Sequence, residues 1–567
     1  MKLLLGGKIN FILPVIFVLS VTGIRASANL PGSLSGSQKL NSAVKTGASN
    51  FDIPDGKDFK FPGGFYLSGR SNGKPWANGT PSEYEPGDYL PGPVGASASD
   101  NHYYGDITYM VKEQDSAFGQ SWIMWKMAVA AGADFYDGDK DGIYNPVDKN
   151  NNGVWDRNED RPDACGEATY WRVDNDCLAQ TQRKFNDVER QFIDIQRTAT
   201  ISSIRGGRMP MIYVRFRIIN TGKKAEMLDS VYFSIVSPSI TVEGSNYLAG
   251  CDTAAGSMFA YSTKDDAFYT NPPCYLISFL QGPLASVPGV SFIDHNSNGV
   301  YDPEVDRPIK KGYNKRGRFK GLDSIPGSMN LDMASFTPYY PGAVSHGEPN
   351  TQFELRNYML GGLTRTGAPI DPCGWSYGNA ALLPGCENLN PKFLYSGNPI
   401  ENRGWLNTVT GREVLMMSTG PFKLQKNIPQ DIYVTYVIGQ GSSPTNSIVM
   451  AVDNTIEGRR FFDRNLGEIP LDVEDGNVTI NKFELSQNYP NPFNPVTKIR
   501  YSVADFGRVT LKVYDLLGKE VAQLVNEEKN PGMYEITFDA SMLATGVYFY
   551  RLQSGSISLS KKLLLVK

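Results

Sequence analysis

Three stretches in the middle of the chain alternate apolar and polar residues with the period of a half-buried strand: residues 192–202 (FIDIQRTATIS), 211–220 (MIYVRFRIIN) and 228–237 (LDSVYFSIVS). Thr221-Gly222 and the lysines after them mark the turn between the last two. The same signal returns at AGSMFAYS, CYLISFLQG, VLMMSTGPFKL and DIYVTYVIGQG. Seven or so strands at this spacing predict an antiparallel β-sandwich rather than a parallel sheet. Helical spacing appears at Ser121–Ala131, with Trp122, Trp125 and Val129 on one face, and at Ser447–Leu466. The two tryptophans read as core packing rather than a ligand platform.

A chain of 567 residues exceeds what one hydrophobic core supports. The composition, with 57 Gly and 36 Pro, favours short strands joined by turns. The expected layout is a signal peptide (1–28), a Gly/Pro-rich β region (29–136), an acidic segment (137–163), a β-sandwich body (164–466), a linker (467–482) and a small β domain (483–567). Within the body, the Pro-, Gly- and Asn-rich stretch 309–408 reads as long decorated loops. The first segment has Lys2 and Lys8, an interrupted apolar stretch and a small-x-small site at Ala26-Ser27-Ala28. Pro14 and its shortness argue against a membrane anchor, and no later segment is expected to span a bilayer. Net charge is −4 with no basic stripe, which gives no support to nucleic-acid binding.

In an exported protein, six cysteines and no CxxC suggest disulfides. Cys165 and Cys177, Cys251 and Cys274, and Cys373 and Cys386 form three sequence-local pairs, the preferred pairing among the 15 that six cysteines allow.

Residues 137–148 (DGDKDGIYNPVD) place Asp137, Asp139 and Asp141 at positions 1, 3 and 5, with glycine at 6. Ile143 offers a carbonyl at 7, Asn145 lies at 9 and Asp148 at 12. Hard cations take six to eight oxygens, and this ladder supplies them around a sharp turn, so calcium is the expected cofactor. The ladder restarts on Asp148 with Asn150, Asn152, Val154, Asp156 and either Glu159 or Asp160. A third copy follows: residues 148–162 align without a gap to 294–308, giving Asp294, Asn296, Asn298, Val300, Asp302 and Asp306. Position 12 of that copy (294–306) is Val305, so Asp306 must substitute. The Asp at position 12 of the first loop resembles dockerin loops, and the shared Asp148 resembles thrombospondin type-3 repeats.

The tail reads as a small Ig-like sandwich of alternating strands. Asn491-Pro492-Phe493-Asn494-Pro495 removes two backbone donors and predicts a rigid entry loop. The segments Tyr489-Pro490-Asn491-Pro492-Phe493, Val513-Tyr514-Asp515 with Gly518, Gly546-Val547-Tyr548 and Lys561-Lys562 resemble the C-terminal sorting domain of type IX secretion substrates of the Bacteroidetes and related phyla. That resemblance implies passage across the outer membrane of a Gram-negative cell, recognition of residues 483–567 by the type IX machinery, and usually removal of the domain with attachment to surface lipopolysaccharide. The body (Gly64–Leu466) is similar to a family of large surface proteins that carry this tail. It shares the N-G-V-W/Y-D…D-R-P loops, FRIINTG (216–222), AGCDTAAG (249–256) and MSTGPFKL (417–424), and the resemblance implies no activity.

The three histidines, His102, His295 and His346, sit in no catalytic motif, and no pair of carboxylates stands out by spacing. No catalytic residue is assigned. The expectation is a secreted or cell-surface, calcium-binding structural or adhesion-type protein; the alternatives are an extracellular polysaccharide hydrolase or a glycan-binding protein.

Overall fold

The computed structural model describes residues 50–52, 58–60, 64–80, 87–96, 108–202, 211–238, 247–265, 269–315, 322–411, 413–466, 483–488, 491–503, 507–516, 518–529, 532–554 and 557–566. The expected signal peptide, the linker, most of residues 29–63, His102, and Tyr489 and Pro490 of the tail lie outside them. The chain divides into two compact units, one up to Ile469 and one from Pro470.

The long strands of the first unit begin with β1 (Gly64–Ser71), β2 (Lys74–Thr80), β3 (Leu90–Pro91) and β4 (Tyr109–Lys112). Helix α1 (Gln120–Ala130) and two-residue strands β5 (Phe135–Tyr136) and β6 (Arg161–Pro162) follow. Next come β7 (Ala168–Asn175), β8 (Ile193–Ser202), β9 (Met211–Asn220), β10 (Met227–Pro238), β11 (Leu248–Asp252), β12 (Ser257–Tyr261) and β13 (Cys274–Gln281). Further along the chain lie β14 (Phe292–Ile293), β15 (Arg307–Pro308), β16 (Met333–Phe336), helix α2 (Gln352–Leu360), β17 (Val414–Gln425), β18 (Gln430–Gly439) and helix α3 (Pro444–Leu466).

Two antiparallel sheets result. One has nine strands, in the order β11-β12-β13-β18-β9-β8-β7-β3 with β4 also on β7; the other has five, β16-β17-β10-β1-β2. Alternation decides what each strand face meets. On β9, Ile212, Val214, Phe216 and Ile218 enter the central core, whereas Met211 and Tyr213 face outward into a second cluster. Phe65 of β1, Phe216 of β9 and Phe233 of β10 join the sheets, with ring centroids 5.4 and 5.0 Å apart. The turn at Thr221-Gly222 carries the chain from one sheet to the other, and Gly222 takes φ +74° there.

Helix α3 covers the outer face of β13 and β18, which explains why every residue of those two strands is buried. Its start is set locally: Pro444 opens the helix, and the Ser443 hydroxyl accepts the Asn446 amide at 3.1 Å. Helix α1 packs Trp122 and Trp125 against Trp171 and Val173 of β7. None of the helices among the described residues is long and apolar enough to cross a membrane.

The stretch 309–408 is more than decoration. It contributes β16 to the five-stranded sheet and contains α2, whose N-cap Thr351 accepts the Glu354 amide at 3.2 Å. Tyr339, Tyr358, Tyr395 and Trp405 from this stretch are fully buried. Its Pro, Gly and Asn residues hide the periodicity, but its aromatics build a packed layer.

Two of the three expected disulfides do not form. Cys373 and Cys386 are bridged, with Cα atoms 5.3 Å apart. Cys165 and Cys177 stand at opposite ends of β7, whose eight residues span roughly 26 Å. Cys251 on β11 and Cys274 on β13 are separated by β12, a distance of ~10 Å across the sheet. They also point to opposite faces, Cys251 into the central core and Cys274 toward α3. All four remain thiols.

The second unit has strands β19 (Glu484–Leu485), β20 (Val496–Val503), β21 (Gly507–Tyr514), β22 (Glu520–Lys529), β23 (Gly532–Asp539), β24 (Gly546–Ser554) and β25 (Ile557–Leu565). They form sheets β19-β20-β23 and β22-β21-β24-β25 around Ile499, Leu511, Val513, Tyr550 and Leu563. The Asn491–Pro495 loop is tied into this fold. Phe493 is buried and bridges Leu565 in parallel, and the Asn491 Oδ1 accepts the Leu564 amide at 2.7 Å. Gly518 turns with φ +81°, and Gly546 opens β24. The hydroxyl of buried Tyr548 donates to Ala544 O, and Lys561 and Lys562 are exposed on β25.

Candidate cation-binding loops

The three acidic segments adopt one backbone design. In the first, Asp137 accepts the amides of Asp141 (3.2 Å) and Gly142 (2.9 Å), Asp139 accepts Asp141 N, and Asp141 accepts Ile143 N at 2.7 Å. In the second, Asp148 receives Asn152 N and Gly153 N, Asn150 receives Asn152 N, and Asn152 receives Val154 N. The third repeats this with Asp294, Asn296 and Asn298, which accept amides of Asn298, Gly299 and Val300. The glycine at position 6 takes φ +79°, +76° and +74° respectively, a left-handed turn that a side chain would strain. Ile143, Val154 and Val300 expose their side chains, leaving only their carbonyls to serve a cation.

A buried carboxylate closes each loop by accepting the amides of positions 2 and 9. For the third it is Asp306, bound by His295 N and Asp302 N, both at 2.8 Å. For the second it is Glu159, bound by Lys149 N (2.6 Å) and Asp156 N (2.9 Å). For the first it is Asp160, bound by Gly138 N (3.0 Å) and Asn145 N (2.6 Å). This corrects the expectation that Asp148 closes the first loop: both its oxygens are taken by the second. It also separates Glu159 and Asp160, which the spacing left as alternatives. Ligand oxygens of Asp137, Asp139 and Asp160 lie within 4.8 Å of one another. The Asn145 Oδ1 accepts from Lys126 Nζ at 2.8 Å, as Asp139 accepts from Lys149 Nζ. Asp156 and Asp302 each accept two asparagine amides, from Asn150 and Asn152 and from Asn296 and Asn298.

Burial, with Asp139 and Asp137 adding to it against the two amide bonds, raises the Asp160 carboxyl above its ordinary range. The Lys149 ammonium donates to Asp139 at 2.8 Å and holds that carboxyl low. A hard divalent cation fits this all-oxygen set, and it would neutralise the repulsion among three converging carboxylates. Asp137, Asp139, Asp141 and Asp160 would hold it in the first loop. In the second and third, fewer carboxylates converge.

Spacing alone did not reveal how the loops are fastened. Position 8 is aromatic in all three, as Tyr144, Trp155 and Tyr301. Tyr144 packs on Phe135 (5.3 Å) and donates to Trp122 O, Trp155 meets Tyr136 (5.5 Å), and Tyr301 meets Phe292 (5.4 Å). The Arg161 guanidinium lies 4.7 Å from the Trp155 ring and 5.5 Å from Trp122. The Arg-Pro pair after each closing Asp forms a ladder with the residues before the loop: Phe135↔Pro162 and Tyr136↔Arg161, then Phe292↔Pro308 and Ile293↔Arg307. The gapless alignment of the two segments carried this signal.

Beside the tandem loops, Asp134 and Asp163 face a crevice of about 30 Å³ floored by Trp171, Tyr213, Arg215 and Tyr433. That volume holds about two waters. Asp134 is committed to Arg215 (2.6 Å) and Arg217 (3.2 Å). His346 is buried, edge-on to Trp375 at 4.6 Å.

The family model described as "Secretion system C-terminal sorting domain" matches residues 487–567. The chain thus carries a sorting domain recognised by the type IX machinery, and it is exported to the cell surface or the extracellular space. No curated protein sequence matches the chain. Among solved structures, a polysaccharide lyase aligns at 7% identity and TM-score 0.18, covering 66% of this chain and 34% of that one. Latent PorU from Porphyromonas gingivalis aligns at 11% identity and TM-score 0.16, covering 89% and 30%. A β-1,2-glucanase from Parabacteroides distasonis aligns at 7% and 0.12, covering 65% and 36%. The chain spans about a third of the length of each, and no activity is carried over from them.

Proposed function

We propose that this exported chain is a calcium-clamped structural or adhesion-type protein of the outer cell surface, held there through lipopolysaccharide once its sorting domain has acted. The observation that carries the reading is the convergence of Asp137, Asp139 and buried Asp160 on one point, inside a loop whose backbone amides already fix all three. The cation's chemistry is electrostatic: it neutralises carboxylates and pins backbone that is too polar to pack by itself. Extracellular calcium suits weak sites, with dissociation constants of about 10⁻⁴–10⁻³ M.

Thermal melting of the protein without its export segments tests this. Millimolar Ca²⁺ should raise Tm by several degrees over EDTA, as ligand binding to the native state alone requires. Superimposable curves would overturn the reading.

A further inference from the structure

Phe192 stands at the start of β8 with φ +60°, a left-handed conformation that bulky residues avoid at a cost of about 1–3 kcal/mol. Its neighbours impose it. The fully buried Asp176 carboxylate accepts the amides on both sides of Phe192, from Gln191 (2.7 Å) and from Ile193 (2.8 Å). Asn78 Nδ2 anchors the same carboxylate at 3.1 Å. The Phe192 carbonyl in turn accepts the Thr221 amide (3.3 Å) and hydroxyl (2.8 Å). Residues 191 and 193 are thereby drawn inward while residue 192 arches out.

The arched ring is half-buried in the wall of a surface groove of about 480 Å³ that also takes in Gln180, Glu189, Arg190 and Lys224. The Arg190 guanidinium lies 5.1 Å from the Phe192 ring, and the Lys224 ammonium pairs with Glu189. Lys74 also acts on Glu189, while Asp176 and Lys223 act on Asp194 with opposite signs.

We propose that this groove binds an acidic polysaccharide, with the C–H face of a uronate pyranose against Phe192 and its carboxylate on Arg190 and Lys224. The electron-rich face of an aromatic ring suits the C–H face of a sugar ring, and a guanidinium fork suits a carboxylate. Glu189 shares Lys224 and gives a hydroxyl-rich ligand an acceptor. The site is separate from the acidic loops, so either reading stands or falls without the other.

Isothermal titration of the intact exported chain with a galacturonate tetramer, a neutral glucose tetramer and sodium sulfate tests it. The uronate should bind at least tenfold more tightly than the other two. Arg190→Ala and Lys224→Ala should each weaken it several-fold. Phe192→Gly is the decisive variant, because glycine accepts this backbone without strain: the fold should persist by circular dichroism while affinity drops at least tenfold. Equal binding of the neutral tetramer, equal binding of sulfate, or full affinity in folded Phe192→Gly would each overturn the proposal.

Discussion

Glu159 and Asp160 are neighbours in the chain and serve different loops: Glu159 ties Lys149 to Asp156 in the second, and Asp160 ties Gly138 to Asn145 in the first. One peptide bond therefore joins the closures of two turns that start eleven positions apart, at Asp137 and Asp148.

This division of labour separates two substitutions. Asp160→Asn should remove the tightest step of a calcium titration, because it takes a carboxylate from the site where three converge. Asp148→Asn should spare that step and lose a weaker one. Calorimetry on both variants checks the assignment, and loss of the tight step in Asp148→Asn would return closure of the first loop to Asp148.

Gly138 passes so close to the closing segment that a Cβ would lie 2.3 Å from Glu159 O and 2.4 Å from its nitrogen. Backbone cannot yield as a side-chain tip can. Gly138→Ala should destabilise by about 1–3 kcal/mol, read as a drop in melting temperature with calcium present. At Gly342, whose φ is +87° with nothing within 4 Å, only the conformational strain of alanine applies.

Two buried groups in the 339–414 region give opposite pH dependences. Burial pushes Glu413 up to about 8 and His346 down to about 4. Between pH ~4.5 and ~6.5 the unfolded chain releases the Glu413 proton but holds one on His346, and the two effects cancel. From ~6.5 to 8 only Glu413 differs: the folded state keeps a proton that the unfolded state has lost. Stability should fall with rising pH there, by about 2 kcal/mol at most. Urea melts at pH 6.5 and 8 measure the slope, and Glu413→Gln should flatten it.

Alkylation distinguishes one disulfide from three. The unfolded, unreduced chain should take four adducts, on Cys165, Cys177, Cys251 and Cys274, and two more after reduction. Breaking the bridge with Cys373→Ala should cost about 3 kcal/mol, the entropy of a loop of this size.

The strands of the sandwich were legible because Ile193–Ser202, Met211–Asn220 and Met227–Pro238 each set a buried face against another. The acidic loops were legible because fixed spacing around a glycine is itself geometry. What stayed hidden depended on distant partners. The aromatics of 309–408 follow no period yet fill a core, and short sequence separation between cysteines says nothing about a rigid strand or a third strand lying between them. Phe192 gave no signal at all, because its conformation comes from Asp176, sixteen residues earlier in the chain.

The ladder of Phe135–Tyr136 with Arg161–Pro162 makes the tandem segment leave and rejoin the body at one place. Its length is thus uncoupled from the register of every other strand. Evolution, or an engineer, can add or remove a turn of this kind as a cassette, and the single copy between Phe292 and Pro308, closed by the same two-rung gate, shows the shorter version already in use.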